Sequence, residues 1–517
     1  MRADQDRSAP GRVLAGSLLL AIVGCGQAAA TPEQDPAGQE ASAARARAHV
    51  EFLASDEMRG RASGTREFDR AADYVEAHLS ELGLDPLFDG SYRQPYAIER
   101  VRFSGEGALI YSNGSATERF AEQVDMAFMG VEAGRDAGAE LGLAYVGLGI
   151  HEPAAGWDDY AGIDLTDRCA LMMLDTPSEL VQHFPPHLYA RYTNLAVGPN
   201  TKAWTGIRQG AACVIAFPSS SAPAGFAEQM RSAAILQQTI VLPSGAGGAT
   251  IGTAVVVSSR AAARLLGVDD TDPGANVSRL LDGTVSFEAS WRSESTANTS
   301  NVGAVIPGSD PELSHEVIVL SAHLDGQGMS GEDILNSAND NASSVAALLE
   351  ASRLIRDVRP RRTVQLLFTA SEEDGLLGSR HFVDHPPGDA EAVRLNVNME
   401  MIGKPRRSAD SHQFRVSSRV APELESIVHE VERSIPGVEF DYLHRSDDDG
   451  RRIFRNADHV NFFLRGIPTL YFYGGDESYH QASDDPDGIN FDKVAKMADL
   501  LLAVVRITDA MERLPGW

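Results

Sequence analysis

Two stretches in the second half of the chain, Val317-Ile-Val-Leu-Ser321 and Thr363-Val-Gln-Leu-Leu-Phe-Thr369, are apolar and rich in β-branched residues. They lack the strict polar alternation of a sheet with one wet face, and such runs mark strands buried on both sides in a parallel sheet. Between them Val345, Leu348, Leu349 and Leu354 recur at helical spacing, which predicts a helix over Ser343–Ile355. The same reading predicts helices at Ala48–Ala54, at Phe68–Leu82 with Gly83 as its stop, and at Phe491–Met511, and a strand at Leu470–Phe472. From about Met126 to Ser290 the texture changes to short apolar runs rich in Gly and Ala, such as Leu143–Ile150, Trp157–Asp164 and Gly210–Ala216. Strands alternating with helices predict an α/β protein interrupted by a block of different character.

The two buried strands end just before chemically capable residues. His323 follows the first, with Asp325 two positions on, and Ser371-Glu372-Glu373-Asp374 follows the second. Asn339-Asp340-Asn341, Asn398-Met-Glu400-Met-Ile-Gly403 and Ser478-Tyr-His480 complete the set. The carboxyl ends of parallel strands are where an open α/β sheet builds its site. Taken singly, a His or a Glu-Glu pair is usually a solvated surface group, and the chain holds 14 His. Taken together, the two imidazoles His323 and His480 and the three carboxylates Asp340, Glu373 and Glu400 suit zinc, and one carboxylate could bridge a second ion. Glu372 would remain free to act as a base. The set implies a two-metal hydrolase.

This ordered set resembles the di-zinc exopeptidases that include the bacterial leucyl-type aminopeptidases and glutamate carboxypeptidase II. The resemblance implies a three-layer α/β/α domain with a mixed central sheet. It implies that Asp340 bridges both ions, that His323 and Glu400 complete one site, and that Glu373 and His480 complete the other. It makes Glu372 the general base and Asp325 the carboxylate that orients the ligand imidazole. It also implies a cis peptide between Asp340 and Asn341. Asp458 and His459, in Asn456-Ala-Asp-His-Val-Asn-Phe462, match a family pattern as groups supporting the ligands or contacting substrate. Glu400 departs from the pattern, because the family usually carries Asp there. The entry Leu53-Ala-Ser-Asp56…Gly60-Arg61…Gly64 resembles the family's first helices, and the block 126–290 is similar to a protease-associated domain. Removal of N-terminal residues from peptides is the leading activity. Carboxypeptidases and glutaminyl cyclases share the ligand scheme, and a catalytically silent peptide-binding lipoprotein is the rival from another class.

Composition agrees. At 517 residues the chain suggests two or three domains, and 43% hydrophobic residues can build large cores. A net charge of −28 without an extended Lys/Arg cluster excludes nucleic acid as partner. At the start, Arg2, Arg7 and Arg12 precede an apolar stretch, Val13–Val23, too short to span a bilayer. It ends in Ile22-Val-Gly-Cys25, which looks like a bacterial lipobox with Cys25 as the lipid-bearing residue. Gly26 at the next position fits outer-membrane sorting in a Gram-negative host. The expected organisation is a signal peptide at 1–25, a flexible tether at 26–43, the catalytic domain at 44–125 and 291–517, and the insertion at 126–290. Cys169 and Cys213 lie in apolar strand-like runs and are expected as buried free thiols, with a disulfide open in an oxidising compartment.

Overall fold

The computed structural model describes residues 36–103, 107–122, 124–130, 139–184, 188–189, 192, 198–219, 238–241, 254–268, 278–288, 291–404, 413–417, 424–442, 457–475 and 478–514. Cys25 and the stretch preceding it lie outside them. Among the described residues no helix is long and apolar enough to cross a membrane.

The two runs that lack polar alternation are adjacent parallel strands. Val317–His323 pairs with Thr363–Thr369 on one side and with Val393–Glu400 on the other, and Thr469–Tyr473 extends the parallel block beyond Val393–Glu400. Antiparallel strands flank it, with Trp291–Ile306 and Arg93–Phe103 on one side and Gln413–Ser417 on the other, so the ten-stranded sheet is mixed.

Both faces of this sheet are covered. Ile318 and Leu320 point into a core shared with the helices Pro36–Leu53, Arg66–Glu81, Ser343–Val358 and Phe491–Ala510. Val317 and Val319, one step out of phase, pack instead with Phe382 and Phe462 from the short helices Leu377–Asp384 and His459–Leu464. That period-two division is why the strand has no polar face.

The helix before Gly83 is Arg66–Glu81, and Thr65 caps it by accepting a hydrogen bond from the Phe68 amide. The first helix starts at Pro36 rather than near Ala48, so part of the segment expected as tether is helical. Ala43, Ala46 and Val50 are buried on the core, and packing of this Ala-rich face outweighs its polar composition.

A second, eight-stranded sheet is built from residues between Ala108 and Glu288 around its own core. Ala108–Ser112 and Thr117–Ala121 belong to it, so its first strands lie upstream of the expected junction at 125/126. Gln238–Val241 leaves it to pair with Arg93–Phe103 of the large sheet. Cys169 and Cys213 face each other on neighbouring parallel strands of this second sheet and are joined by a disulfide. This overturns the expectation of two free thiols. The 44-residue separation hides a register that brings their Cα atoms to 4.4 Å.

Candidate metal centre

The carboxyl ends of the parallel strands deliver the candidate residues to one place. His323 is the last residue of its strand, Glu400 the last of the next, and Glu372 and Glu373 follow Thr369 within four positions. His323 Nε2 lies 2.9 Å from a Glu400 oxygen, 3.2 Å from Asp340 Oδ1 and 3.9 Å from Glu372 Oε2. His480 Nε2 lies 3.3 Å from Asp340 Oδ2 and 3.1 Å from Glu373 Oε2. The two carboxylate oxygens of Asp340 therefore face different imidazoles. Glu372 makes no such contact with His480.

The Asn-Asp-Asn turn has an evident purpose. Asn339 Oδ1 accepts hydrogen bonds from the amides of Gly403 and Lys404. The Asn341 carboxamide accepts from the Met401 amide and donates to the Met399 carbonyl. The two asparagines thus tie the Asp340 turn to the end of the Glu400 strand, and the Asp340–Asn341 peptide is cis. Ser337, Ser371, Met401 and His480 are non-glycine residues with φ between 52° and 56°. Each is at or within three positions of a candidate ligand, and left-handed backbone of this kind collects at functional sites.

Asp325 is buried, but its carboxylate accepts from the amides of Glu372 and Glu373 rather than bonding closely to the imidazole. His323 Nδ1 is 3.1 Å from the Asp325 main-chain oxygen and 3.6 Å from Oδ1. Asp325 therefore holds the Glu-Glu segment as much as the ring. Asp458 accepts a short hydrogen bond from Thr369 Oγ1 at the end of the neighbouring strand. His459 stacks on Tyr471 with ring centroids 4.1 Å apart.

Three residues that the sequence reading did not assign also shape the site. Asp484 accepts from the amides of Asn339 and Asp340 and pairs with Lys404 Nζ at 2.8 Å. Arg61 is fully buried and donates to the carbonyls of Leu53, Leu324, Asn336 and Ser337, fastening the chain on both sides of the site. The Gly60-Arg61 motif was the available signal for Arg61. Asp484, four positions after His480, and Lys404, directly after Met-Ile-Gly, carried none.

Burial shapes the electrostatics. It pushes the Glu372 carboxyl well above its ordinary range, Glu400 to about 8 and Glu373 to about 7. Burial would lower both imidazoles, but neighbouring carboxylates outweigh it, raising His323 well above its usual value and His480 to about 9. Asp340 moves the other way: burial opposes ionisation, but the hydrogen bonds to His323 and His480 prevail and lower it. Glu373 Oε1 and Glu400 Oε2 are buried oxygens without a hydrogen-bond partner. Buried, unpartnered carboxylate oxygens beside imidazole nitrogens suit a divalent cation, which would replace the protons that now balance the charge. His323 with Glu372 and Glu400, and His323 with Asp340 and Glu373, each bring donor atoms within 4.8 Å of one another.

Residues 301–505 match the model of peptidase family M28. The chain is 26% identical over 218 residues to Aminopeptidase YwaD of Bacillus subtilis (strain 168), across 39% of this chain and 43% of that protein. It is 28% identical over 227 residues to "Probable lipoprotein aminopeptidase LpqL" of Mycobacterium tuberculosis, across 38% and 43%. In both cases the match spans less than half of the relative's length. Among solved structures, an aminopeptidase from Aneurinibacillus sp. strain AM-1 aligns over 92% of this chain and 94% of its own, at 19% identity and a TM-score of 0.44.

Proposed function

The segment 301–505 belongs to peptidase family M28, and on that premise we propose that this protein is a two-zinc aminopeptidase. One zinc would be held by His323, Glu400 and Asp340, the other by Glu373, His480 and Asp340. The observation that carries the reading is the division of Asp340 between the two imidazoles, Oδ1 toward His323 and Oδ2 toward His480. A bridging carboxylate needs that arrangement. The names of the curated relatives, aminopeptidases in several cases, favour action at a free N-terminus.

Bound zinc would lower the pKa of a water and polarise the scissile carbonyl. Glu372 supplies the proton chemistry. Its carboxylate comes within 4.8 Å of the His323 and Glu400 donor atoms but lies farther from His323 than Asp340 or Glu400 does. The proposed ligand sets leave it free, and burial makes it a stronger base than an exposed carboxylate. It would take a proton from the attacking water and return it to the leaving amine. Asp325 fixes the backbone of Glu372 and Glu373, and Asp484 with Lys404 fixes the turn that carries Asp340. The second sheet is read as an inserted protease-associated domain, and Cys25 as the site of a lipid anchor on an exported protein.

Hydrolysis of aminoacyl-anilides and of the same compounds N-acetylated, with and without a chelator, tests this reading. Cleavage of the free-amine compounds alone, lost with chelator and restored by zinc, is expected. Chelator-resistant cleavage, or equal cleavage of blocked substrates, would contradict it.

A further inference from the structure

Gln327, four residues after His323, was given no role by the sequence. Its loop is held tightly: the Gly326 and Gly328 amides donate to the Arg61 and Gly60 carbonyls, and the Gln327 amide donates to Ser337 Oγ. Gly60 takes φ +69°, and a Cβ there would collide with the carbonyls of Gly328 and Leu335, so the two segments approach as only glycine allows. This anchored backbone directs the half-buried Gln327 side chain at the His480 side of the cluster. Its Nε2 lies 3.0 Å from His480 Nε2 and makes a short hydrogen bond to Glu373 Oε2.

From His480 Nε2 the distances to Asp340 Oδ2, Glu373 Oε2 and the Gln327 carboxamide are 3.3, 3.1 and 3.0 Å. Ligands about 2.0–2.1 Å from a tetrahedral zinc stand about 3.3 Å apart. The carboxamide head is thus spaced from His480 as a fourth ligand would be, whereas its contact with Glu373 is shorter than that spacing and would have to open as an ion entered between them. A half-turn about the last side-chain bond exchanges its nitrogen and oxygen, so the same place can present an acceptor.

We infer that Gln327 is a further ligand of the His480-side zinc, through its carboxamide oxygen. The inference rests on the two-zinc reading above and extends it. The His480-side ion would then have four protein donors, Asp340, Glu373, His480 and Gln327, against three for the His323-side ion. The extra donor is neutral, so it closes the coordination shell without adding to the negative charge of the cluster.

Zinc titration of metal-free wild type, Gln327→Ala and Gln327→Glu against a chromophoric chelator tests this, with the absorption of the cobalt-substituted proteins as a second readout. For Gln327→Ala, the affinity of one site should fall by about 10-fold, a scale seen when groups supporting a metal are lost, and one component of the cobalt spectrum should change. Gln327→Glu decides between roles. A ligand oxygen that gains a charge tightens that site. If Gln327 served only as an amide donor to Glu373, the new carboxylate would repel Glu373 and loosen it. Tightening in Gln327→Glu together with loss in Gln327→Ala is the expected pattern. Weakening in Gln327→Glu, or unchanged affinities and spectra in Gln327→Ala, would overturn the ligand assignment while leaving two zinc ions in wild type. A wild type that takes up fewer than two would overturn this inference and the reading beneath it together.

Discussion

Neighbouring carboxylates here take different work: some would hold metal and one would move protons. Glu372 and Glu373 are neighbours in the chain, yet only Glu373 reaches His480, at 3.1 Å. Replacing Glu372 by Gln should therefore leave zinc content unchanged while kcat falls by roughly 10²-fold or more, the scale of a lost general base. Metal analysis beside steady-state kinetics checks it, and near-normal turnover in a metallated Glu372→Gln protein would refute the role. Protons and metal also compete at this site. Burial raises Glu400 to about 8 and Glu373 to about 7, and the adjacent carboxylates raise His480 to about 9. Below these values the groups carry protons that zinc must displace, so apparent affinity should rise from pH 6 to 9, by about 10-fold per unit for each proton released. Chelator competition across that range measures it, and a pH-independent affinity would contradict it. These candidates were legible because each sits in a short sequence setting, His323, Glu372, Glu373 and Glu400 at or just after a strand end and Asp340 and His480 in turns. Asp484, Lys404 and Gln327 each stand only four positions after a candidate ligand, but their contacts are with groups far away in the chain (Lys404 with Asp484, Gln327 with His480), and such pairings leave no local pattern.

Elements decide how firmly the cluster is held. Arg61 fastens the end of the first helix, through Leu53, to the chain after His323 and before Asp340, through Leu324, Asn336 and Ser337. Arg61→Met would leave buried carbonyls without donors and remove a buried cation near Asp325, Asp484 and Asp340. A loss of roughly 3–5 kcal/mol is expected, measurable as a lower denaturant midpoint, with Arg61→Lys intermediate because an ammonium cannot span four carbonyls. An unchanged midpoint would show that the guanidinium does not hold these loops. The elements themselves were largely readable. Thr363–Thr369 matches its sequence reading at both ends, and Val317–His323 runs only two residues longer, because strands buried on both faces read as near-continuous apolar runs even with a buried polar residue such as Gln365 or Ser321 among them. The first helix escaped at its start because Pro36–Gln39 and Ala41–Ala43 read as a loose, small-residue linker. Its burial comes from contacts with the helices Ser343–Val358 and Phe491–Ala510, which no local window contains.

For the whole molecule, the alternation of strands and helices announced an α/β architecture, and the change of texture near Met126 falls within the stretch that builds the second sheet. The start of that sheet was blurred, because Ala108–Ser112 joins it by pairing with Arg279–Glu288, far downstream. The disulfide was hidden for the same reason, since the register of Cys169 against Cys213 is a tertiary fact. With a net charge of −28 the chain carries far more acid than base, and part of that excess converges on the cluster at the strand ends. Two zinc ions sharing Asp340 there would account for the arrangement. Stepwise return of zinc to the metal-free protein, followed by both bound metal and aminopeptidase activity, decides whether they do. Full activity is expected only at two equivalents per chain in wild type, with loss of binding at both sites in Asp340→Ala. Full activity at one equivalent, or two tightly held ions in Asp340→Ala, would contradict it.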